Sequence, residues 1–256
     1  MTWNGRVIFL TGASSGIGEA LAVAFAGKGA TVGLLARREA ELISVAKACE
    51  AAGGTARVFP CDITDAAATR RAAEELRAEF GFIDILIANA GIGGNNDAVR
   101  SLQPEAVKKV IDINLIGAVN SVHAVLPEML SRGSGHLVAI ASLAGVRGLP
   151  HSAAYSASKA GMIAFFESVR LDTAAQGIDV TIIKPGFIKT PLTAGRQNKM
   201  PFLMELSDAV PYFVNAIEKK QKFASFPWQL AWLVGAARIF PAWLYDRIAG
   251  RARFRE

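Results

Sequence analysis

Cysteine and histidine are scarce in this chain. Only two cysteines, Cys49 and Cys61, occur in 256 residues. They form no paired motif, which excludes a disulfide framework and a thiolate zinc site. The three histidines, His123, His136 and His151, are scattered and make no metal cluster. Long hydrophobic runs are missing too. The apolar run Val7–Leu10 is too short for the core of a signal peptide, and no cleavage site follows. The apolar stretch from Leu230 to Ala237 falls far below the ~20 residues of a spanning helix. No linker, repeat or low-complexity tract breaks the chain, so the expectation is one domain over residues 1–256 in a reducing, cytoplasmic setting.

What is present is apolar and glycine-rich. Hydrophobic residues make up 52% of the chain, enough for a large core. The formal net charge is +6, which suits nucleic acid, anionic lipid or a phosphate-bearing cofactor. The arginines gather at Arg37-Arg38 and in the tail rather than along one stripe with interleaved aromatics, so nucleic acid is not expected.

Short apolar runs alternate with helical patterns. Strands are expected at 7–10, 31–35, 55–59, 83–88, 136–141 and 179–183. Helices are expected at 16–26, 39–52, 66–80, 104–130 and 153–175, the last with Gly177 at its end. Such alternation implies parallel strands with crossover helices on both faces. The expectation is an α/β, doubly wound parallel sheet of the Rossmann type with about seven strands. Residues 187–206 break the rhythm and read as a substrate loop or lid. Residues 226–256 form an apolar and then basic extension.

The first turn, "TGASSGIG", places Gly12, Gly16 and Gly18 between a strand and a helix. Glycine lets the backbone turn tightly and approach a pyrophosphate, and the helix N-terminus then offers N–H groups to the phosphates. A second signal is "YSASK", which sets Tyr155 and Lys159 four residues apart on one helix face. A lysine beside a phenol favours the phenolate and lowers the tyrosine pKa, giving a proton donor suited to neutral pH.

These segments resemble the short-chain dehydrogenase/reductase family. Thr11-Gly12-x-x-x-Gly16-x-Gly18 looks like its fingerprint, and Asp62, "NAG" (Asn89 to Gly91), Asn114, Ser142, Tyr155, Lys159 and the run Pro185-Gly186 to Thr190 follow in order over residues 5 to 190. The resemblance implies a nicotinamide cofactor held by Gly12, Ser14, Ser15, Gly16, Ile17, Gly18, Asp62, Ile63, Asn89, Ala90, Gly91, Pro185, Gly186, Ile188 and Thr190, with Tyr155 and Lys159. It further implies that Tyr155 is the general acid in ketone reduction and the base in alcohol oxidation. Lys159 would tune Tyr155 and hold the nicotinamide ribose. Ser142 would donate to the substrate oxygen. Asn114 would hold a water linking Lys159 to solvent. Family members of this size often form dimers or tetramers.

The second strand separates the two nicotinamide cofactors. An acid near its end usually binds the ribose hydroxyls of NAD. Here the segment reads "GLLARRE", with Ala36 in the acid's place and Arg37 and Arg38 next. Arginine suits a 2′-phosphate through bidentate, charge-assisted bonds. The reading is NADP(H) rather than NAD(H), with Arg37 as main contact and Arg38 as second. Ser14 and Ser15 stand where some NADP-binding relatives carry a basic residue.

The expected substrate is a small-molecule carbonyl or alcohol of lipid-, steroid- or aromatic-like character. Its candidate wall is Leu143, Val146, Leu149, Phe187, Ile188, Leu192, Met200, Phe202, Leu203 and Met204. His151 either faces this pocket or caps the helix. The tail, with Trp228, Trp232 and Trp243 and then Arg247, Arg251, Arg253 and Arg255, either covers the pocket or a neighbouring subunit, or lies on a membrane surface. Pro241 should end or kink a helix there. The rival to an enzyme is a non-catalytic NADP-binding sensor or scaffold, against which the intact Ser142, Tyr155 and Lys159 argue.

Overall fold

The computed structural model describes residues 3–93, 102–194 and 200–249. Seven strands form one parallel sheet in the order β3-β2-β1-β4-β5-β6-β7. They are β1 Val7–Thr11, β2 Thr31–Ala36, β3 Thr55–Pro60, β4 Ile85–Ala88, β5 Gly135–Ile140, β6 Ile178–Pro185 and β7 Phe223–Phe226. The helices are α1 Gly16–Ala26, α2 Glu39–Ala51, α3 Ala66–Phe80, α4 Pro104–Ile111, α5 Gly117–Arg132, α6 Ala153–Asp172, α7 Leu206–Glu218, α8 Trp228–Ile239 and α9 Ala242–Ala249. This is the expected single-domain Rossmann-like fold.

The centre of the sheet is buried on both faces: β1 (VIFLT) and β4 (ILIA) are buried at every position rather than at alternate ones. On β1, Ile8 and Leu10 point into one core with Phe25 of α1, Leu42 of α2 and Phe213 of α7. Val7 and Phe9 point into the other, with Leu76 of α3, Met129 of α5 and Phe166 of α6. Phe9, Phe25, Phe166 and Phe213 are all fully buried, and truncating any of them to alanine would cost about 3–5 kcal/mol.

Local signals fix several ends. Asp65 caps α3, its carboxylate accepting from Ala68 N at 2.9 Å. Pro104 opens α4. Gly133, at φ +67°, closes α5 in the left-handed region. Pro241 separates α8 from α9, as expected.

Two helix expectations are corrected, and the expected seventh strand is placed. The helix expected over 104–130 is one continuous run to Arg132, but a π-helical segment, Asp112–Ile116, interrupts it. This run is long and apolar enough to cross a membrane, yet half of its most apolar window is buried inside the protein. The helix expected over 153–175 closes at Asp172, and Gly177 (φ +73°) serves the entry to β6 instead, pressed against the Gly133 carbonyl. The seventh strand, β7, lies at Phe223–Phe226, just ahead of the apolar extension.

Strand order reverses between β1, which continues to β2, and β4, which continues to β5. Open α/β sheets bind ligands at that point, beyond the carboxyl ends of the strands. The cleft of this protein lies there.

Candidate functional site

The glycine-rich turn is built for close approach. Gly12 has φ +67°, and a Cβ on it would stand 2.7 Å from Ala90 Cα. A Cβ on Gly18 would come within 2.2 Å of the Gly12 carbonyl oxygen. Both contacts are with backbone, so only glycine fits. Asn89 braces this turn from β4: its Nδ2 donates to Thr11 O at 3.0 Å and Gly12 O at 3.1 Å. Thr11 Oγ1 in turn accepts from Asn89 N and Ala90 N, each at 3.1 Å. Ser15 precedes α1 without a side-chain capping bond. The N-terminus of α1 thus meets the cleft, lined by Gly16 and Ile17, without a Ser15 cap, as an anion site requires.

The cleft has a volume of about 440 Å³. One end is formed by Ser14, Ser15, Ile17, Arg37, Arg38, Asp62 and Ile63. Its centre runs past Asn89, Ala90, Gly91, Pro185, Gly186, Ile188 and Thr190, and its other end holds Ser142, Leu143, Tyr155 and Lys159. Of the residues expected to hold a cofactor, only Gly18 is not part of this lining, since it packs under Gly12. The extended shape, the glycine cradle and the polar end groups fit a dinucleotide.

At the first end, Arg38 folds back over the glycine-rich turn. Its Nη2 donates to Ser14 Oγ and Ser15 Oγ, both at 2.9 Å, and to Ser14 O at 3.3 Å. Its other nitrogen pairs with Glu41 at 3.2 Å. Arg37 is more open, with a side chain 60% exposed and an Nη1 3.9 Å from Asp62 Oδ2. The Asp62 carboxyl is held below its ordinary pKa, first by the backbone N–H of Thr64, which burial partly opposes, and then by the Thr64 hydroxyl and Arg37.

At the other end, Ser142, Tyr155 and Lys159 line the cleft, while Asn114 is not among its lining residues and connects to Tyr155 through Ser158. Ser142 follows β5 in extended conformation, and its Oγ accepts from Ala144 N at 3.1 Å. This bond uses a lone pair and leaves the hydroxyl hydrogen to donate into the cleft. The short 3₁₀ turn that follows, Leu143–Gly145, packs on α6 at Lys159. Tyr155 and Lys159 lie one turn apart on α6, with Lys159 Nζ 5.9 Å from the Tyr155 ring centre. Lys159 is buried and donates to Ile140 O at 2.8 Å. Burial lowers its pKa to about 8.

Asn114 sits in the π-helical segment and is fully buried. Wide π turns often mark functional sites. Its Oδ1 accepts from Ile92 N at 2.8 Å, and its Nδ2 donates to Ile92 O at 3.0 Å and Ser158 Oγ at 2.9 Å. Ser158 passes the link on to Tyr155 O at 2.8 Å. Asn114 Oδ1 and Lys159 Nζ also converge on Gly91, 3.2 and 3.6 Å from where a Cβ there would stand.

The apolar wall differs from the expected one. Leu143, Leu149, Phe187, Ile188 and Leu192 line the cleft. Val146, Met200, Phe202, Leu203 and Met204 are not among its lining residues; Phe202 and Leu203 are exposed, and Met204 packs on the core. Ile188 and Met204 form a parallel bridge that folds this segment back on itself; residues 195–199 of the expected loop lie outside the described residues. His151 is exposed at φ +55° and outside the cleft lining, and Ser152 is the residue that precedes α6. Two wall residues were missed in the sequence, Leu230 and Val234 of α8. Leu230 presses on the cleft floor, where a Cβ on Gly186 would stand 2.7 Å from its Cδ2. The spacing of these two, four apart in an apolar helix, was the available signal.

Comparison with known proteins identifies the family. The family model of the short chain dehydrogenases matches residues 6–201. A protein of Myxococcus xanthus, named only as an uncharacterized oxidoreductase, is 45% identical over 248 residues, covering 97% of this chain and 98% of the relative. The crystal structure of a 3-ketoacyl-ACP reductase from Sinorhizobium meliloti superposes with a TM-score of 0.76 at 29% identity, covering 86% of this chain and 95% of that one. A short chain dehydrogenase from Mycobacterium paratuberculosis, solved bound to NAD, gives a TM-score of 0.78 at 25% identity, covering 88% of this chain and 96% of the other. Taken with the dinucleotide cleft and the cluster of Ser142, Tyr155 and Lys159, these matches establish that the chain belongs to the short chain dehydrogenase family and is an oxidoreductase of its hydride-transfer type.

Proposed function

We propose that this enzyme is an NADP(H)-dependent reductase of apolar ketones or aldehydes, running in reverse as an alcohol dehydrogenase. The observation that carries the reading is the polarity of one cleft. Two arginines stand at the end of β2, where an acid would favour NAD, and an apolar wall surrounds Ser142 and Tyr155 at the other end. Arg38 supports the choice of cofactor in a way the sequence did not suggest. Bonded to Ser14 and Ser15, it brings positive charge to the glycine-rich turn that itself carries none. Arg37 and Arg38 would flank a 2′-phosphate from two sides.

When bound, the nicotinamide supplies hydride to the carbonyl carbon and accepts it back from the alcohol. Ser142 donates its hydroxyl hydrogen to the carbonyl oxygen, holding that oxygen where negative charge grows. Tyr155 gives its proton to the same oxygen, completing the alcohol. Lys159 supplies a positive charge one helical turn away, which stabilises the tyrosine oxygen as its proton leaves. Asn114 fixes the backbone at Ile92 and, through Ser158, at Tyr155. Asn114 Oδ1 and Lys159 Nζ both lie near Gly91, where a water between them would return the proton. Leu230, Val234, Leu149 and Leu192 keep bulk water from the reacting centre. In the cell the enzyme would act as a homodimer or homotetramer.

The test is NADPH consumption against a carbonyl panel of 3-oxoacyl thioesters, steroids, long-chain ketones and aromatic aldehydes, with Tyr155→Phe beside the wild type. Turnover that vanishes in the variant supports the reading. Equal turnover in both sinks the assignment of Tyr155 as the acid. NADPH binding with no turnover anywhere in the panel favours a non-catalytic NADP-binding protein instead.

A further inference from the structure

The C-terminal helices are apolar on two opposite sides. On α8, Leu230 and Val234 face the cleft. Around the helix from them, Trp228, Trp232, Gly235 and Ile239 recur at the spacing of a single helical stripe. All four are exposed, Trp228 at 73%, Trp232 at 69% and Ile239 at 82%. Leu233 is exposed on another side of α8, and Trp243 and Ile248 are exposed on α9. A helix that is apolar all round belongs in a core or in lipid. Yet no residue of α8 is buried.

The patch is held in shape. Arg147 Nη1 donates to the carbonyls of Ala237 and of Phe240 (3.1 Å), and its guanidinium stacks 3.8 Å from the Tyr245 ring centre. Tyr245 donates back to Gly148 O at 2.5 Å. Both helices are thus tied to the loop that follows Ser142, and their outer face is presented as a fixed surface.

Charge selects the occupant. Residues 226–256 carry five arginines, at positions 238, 247, 251, 253 and 255, against only Asp246 and Glu256. Arg238 and Arg247 are exposed at the helix ends; the other three arginines lie outside the described residues. A second copy meeting this face about a two-fold axis would set like charge against like. An anionic bilayer complements it: indole rings settle at the headgroup level, and guanidinium groups pair with lipid phosphates. With 12 residues, α8 is about 18 Å long, too short to span a bilayer, so it would lie in the surface plane.

We propose that α8 and α9 form a docking surface for an anionic lipid bilayer, with Trp228, Trp232, Ile239 and Trp243 in the interface and the exposed Arg238 and Arg247 on the headgroups. The inner face of α8 is a wall of the cleft, so docking brings the cleft within about one helix diameter, ~10 Å, of the lipid.

The protein carries its own probe. Of its four tryptophans, Trp3 is buried at 4% exposure and the other three lie in this patch. The full chain is mixed with vesicles of phosphatidylcholine alone or of phosphatidylcholine with phosphatidylglycerol. The expected result is co-sedimentation and a blue-shifted tryptophan emission with the mixed vesicles, both fading at high salt. Trp228→Ser with Trp232→Ser should abolish co-sedimentation and leave NADPH binding unchanged. Arg238→Ala and Arg247→Ala should each weaken it about fivefold. No co-sedimentation of the wild type with mixed vesicles would overturn the proposal. So would binding that is equal on both vesicle types, or a self-association in sedimentation velocity that the double tryptophan variant dissolves without any vesicle binding.

Discussion

Gly145 lies directly on the backbone of Lys159: a Cβ there would stand 2.7 Å from the Lys159 carbonyl carbon and 2.8 Å from its oxygen. Because the contact is with backbone in the middle of α6, neither partner can yield cheaply. The 3₁₀ turn that begins just after Ser142 is therefore seated on the same helix that carries Tyr155 and Lys159. Gly145→Ala must push the turn away from α6, at a cost of about 1–3 kcal/mol. Because the glycine-rich turn is remote, the expected outcome is a large loss of kcat with little change in the NADPH dissociation constant. Steady-state kinetics beside a fluorescence titration of NADPH would check it; unchanged kcat would mean that the turn does not set the position of Ser142.

The buried Lys159 should set the alkaline limb of the pH profile. Burial lowers its pKa to about 8, so its positive charge is present below that pH and is lost above it. The charge supports proton donation from Tyr155. The expected profile of kcat/KM for carbonyl reduction is flat toward neutral pH and falls as pH rises through about 8. Lys159→Met should lower kcat/KM over the whole range and erase that limb. A limb that persists unchanged in the variant would assign it to another group.

The two arginines should be separable. Arg37 is open and faces Asp62, whereas Arg38 is committed to Ser14 and Ser15. Arg37→Asp places a carboxylate beside the 2′-phosphate site and should raise KM for NADPH by more than about tenfold while lowering KM for NADH. Arg38→Ala should weaken NADPH and also loosen the turn, so both cofactors suffer. An enzyme that prefers NADH before any substitution would refute the NADP(H) reading outright.

His136 gives the fold its own acid sensitivity. It is buried on β5, its Nε2 is 2.8 Å from Thr181 Oγ1, and burial pushes its pKa down to about 4. Asp179 opposes that shift and Lys220 adds to it, the two being paired at 2.6 Å. The folded protein therefore keeps His136 neutral at pH values where the unfolded chain, with its ordinary value of 6.5, is protonated. Stability is full above about 6.5, falls as pH drops toward 4 and levels off below that. The loss is about 3 kcal/mol at most. Urea unfolding at several pH values should show this slope in the wild type and a flatter one in His136→Asn.

The legible parts of the sequence were those where local chemistry and long-range packing ask for the same residue. Gly12 and Gly18 are required by backbone contacts and also mark the motif, and Tyr155 and Lys159 share a face by helical period alone. Strand positions were legible because strands buried on both faces read as unbroken apolar runs. The π-helical segment at Asn114 was not, since a widened turn carries the same apolar composition as the α-helix around it. Strand β7 was missed because four residues, two of them partly exposed, leave no pattern. The bond from Arg38 to Ser14 and Ser15 spans two elements, and no spacing rule connects them. The wall formed by Leu230 and Val234 depends on how the extension folds back over Gly186, a purely tertiary matter.

That wall makes the last prediction specific. Leu230 and Val234 line the cleft from α8, Leu230 against Gly186. Val234→Ala should enlarge the apolar end by about two methyl groups, and Val234→Phe should shrink it. For bulky substrates KM should fall with alanine and rise with phenylalanine, by about 1–3 kcal/mol of binding across the pair. KM for NADPH should change less than KM for the substrate, because Leu230 rather than Val234 is the α8 residue that presses on Gly186, an expected cofactor contact. Substrate profiles of both variants on one carbonyl panel would decide it. If neither profile moves, the substrate lies away from α8, against Leu149 and Leu192 alone.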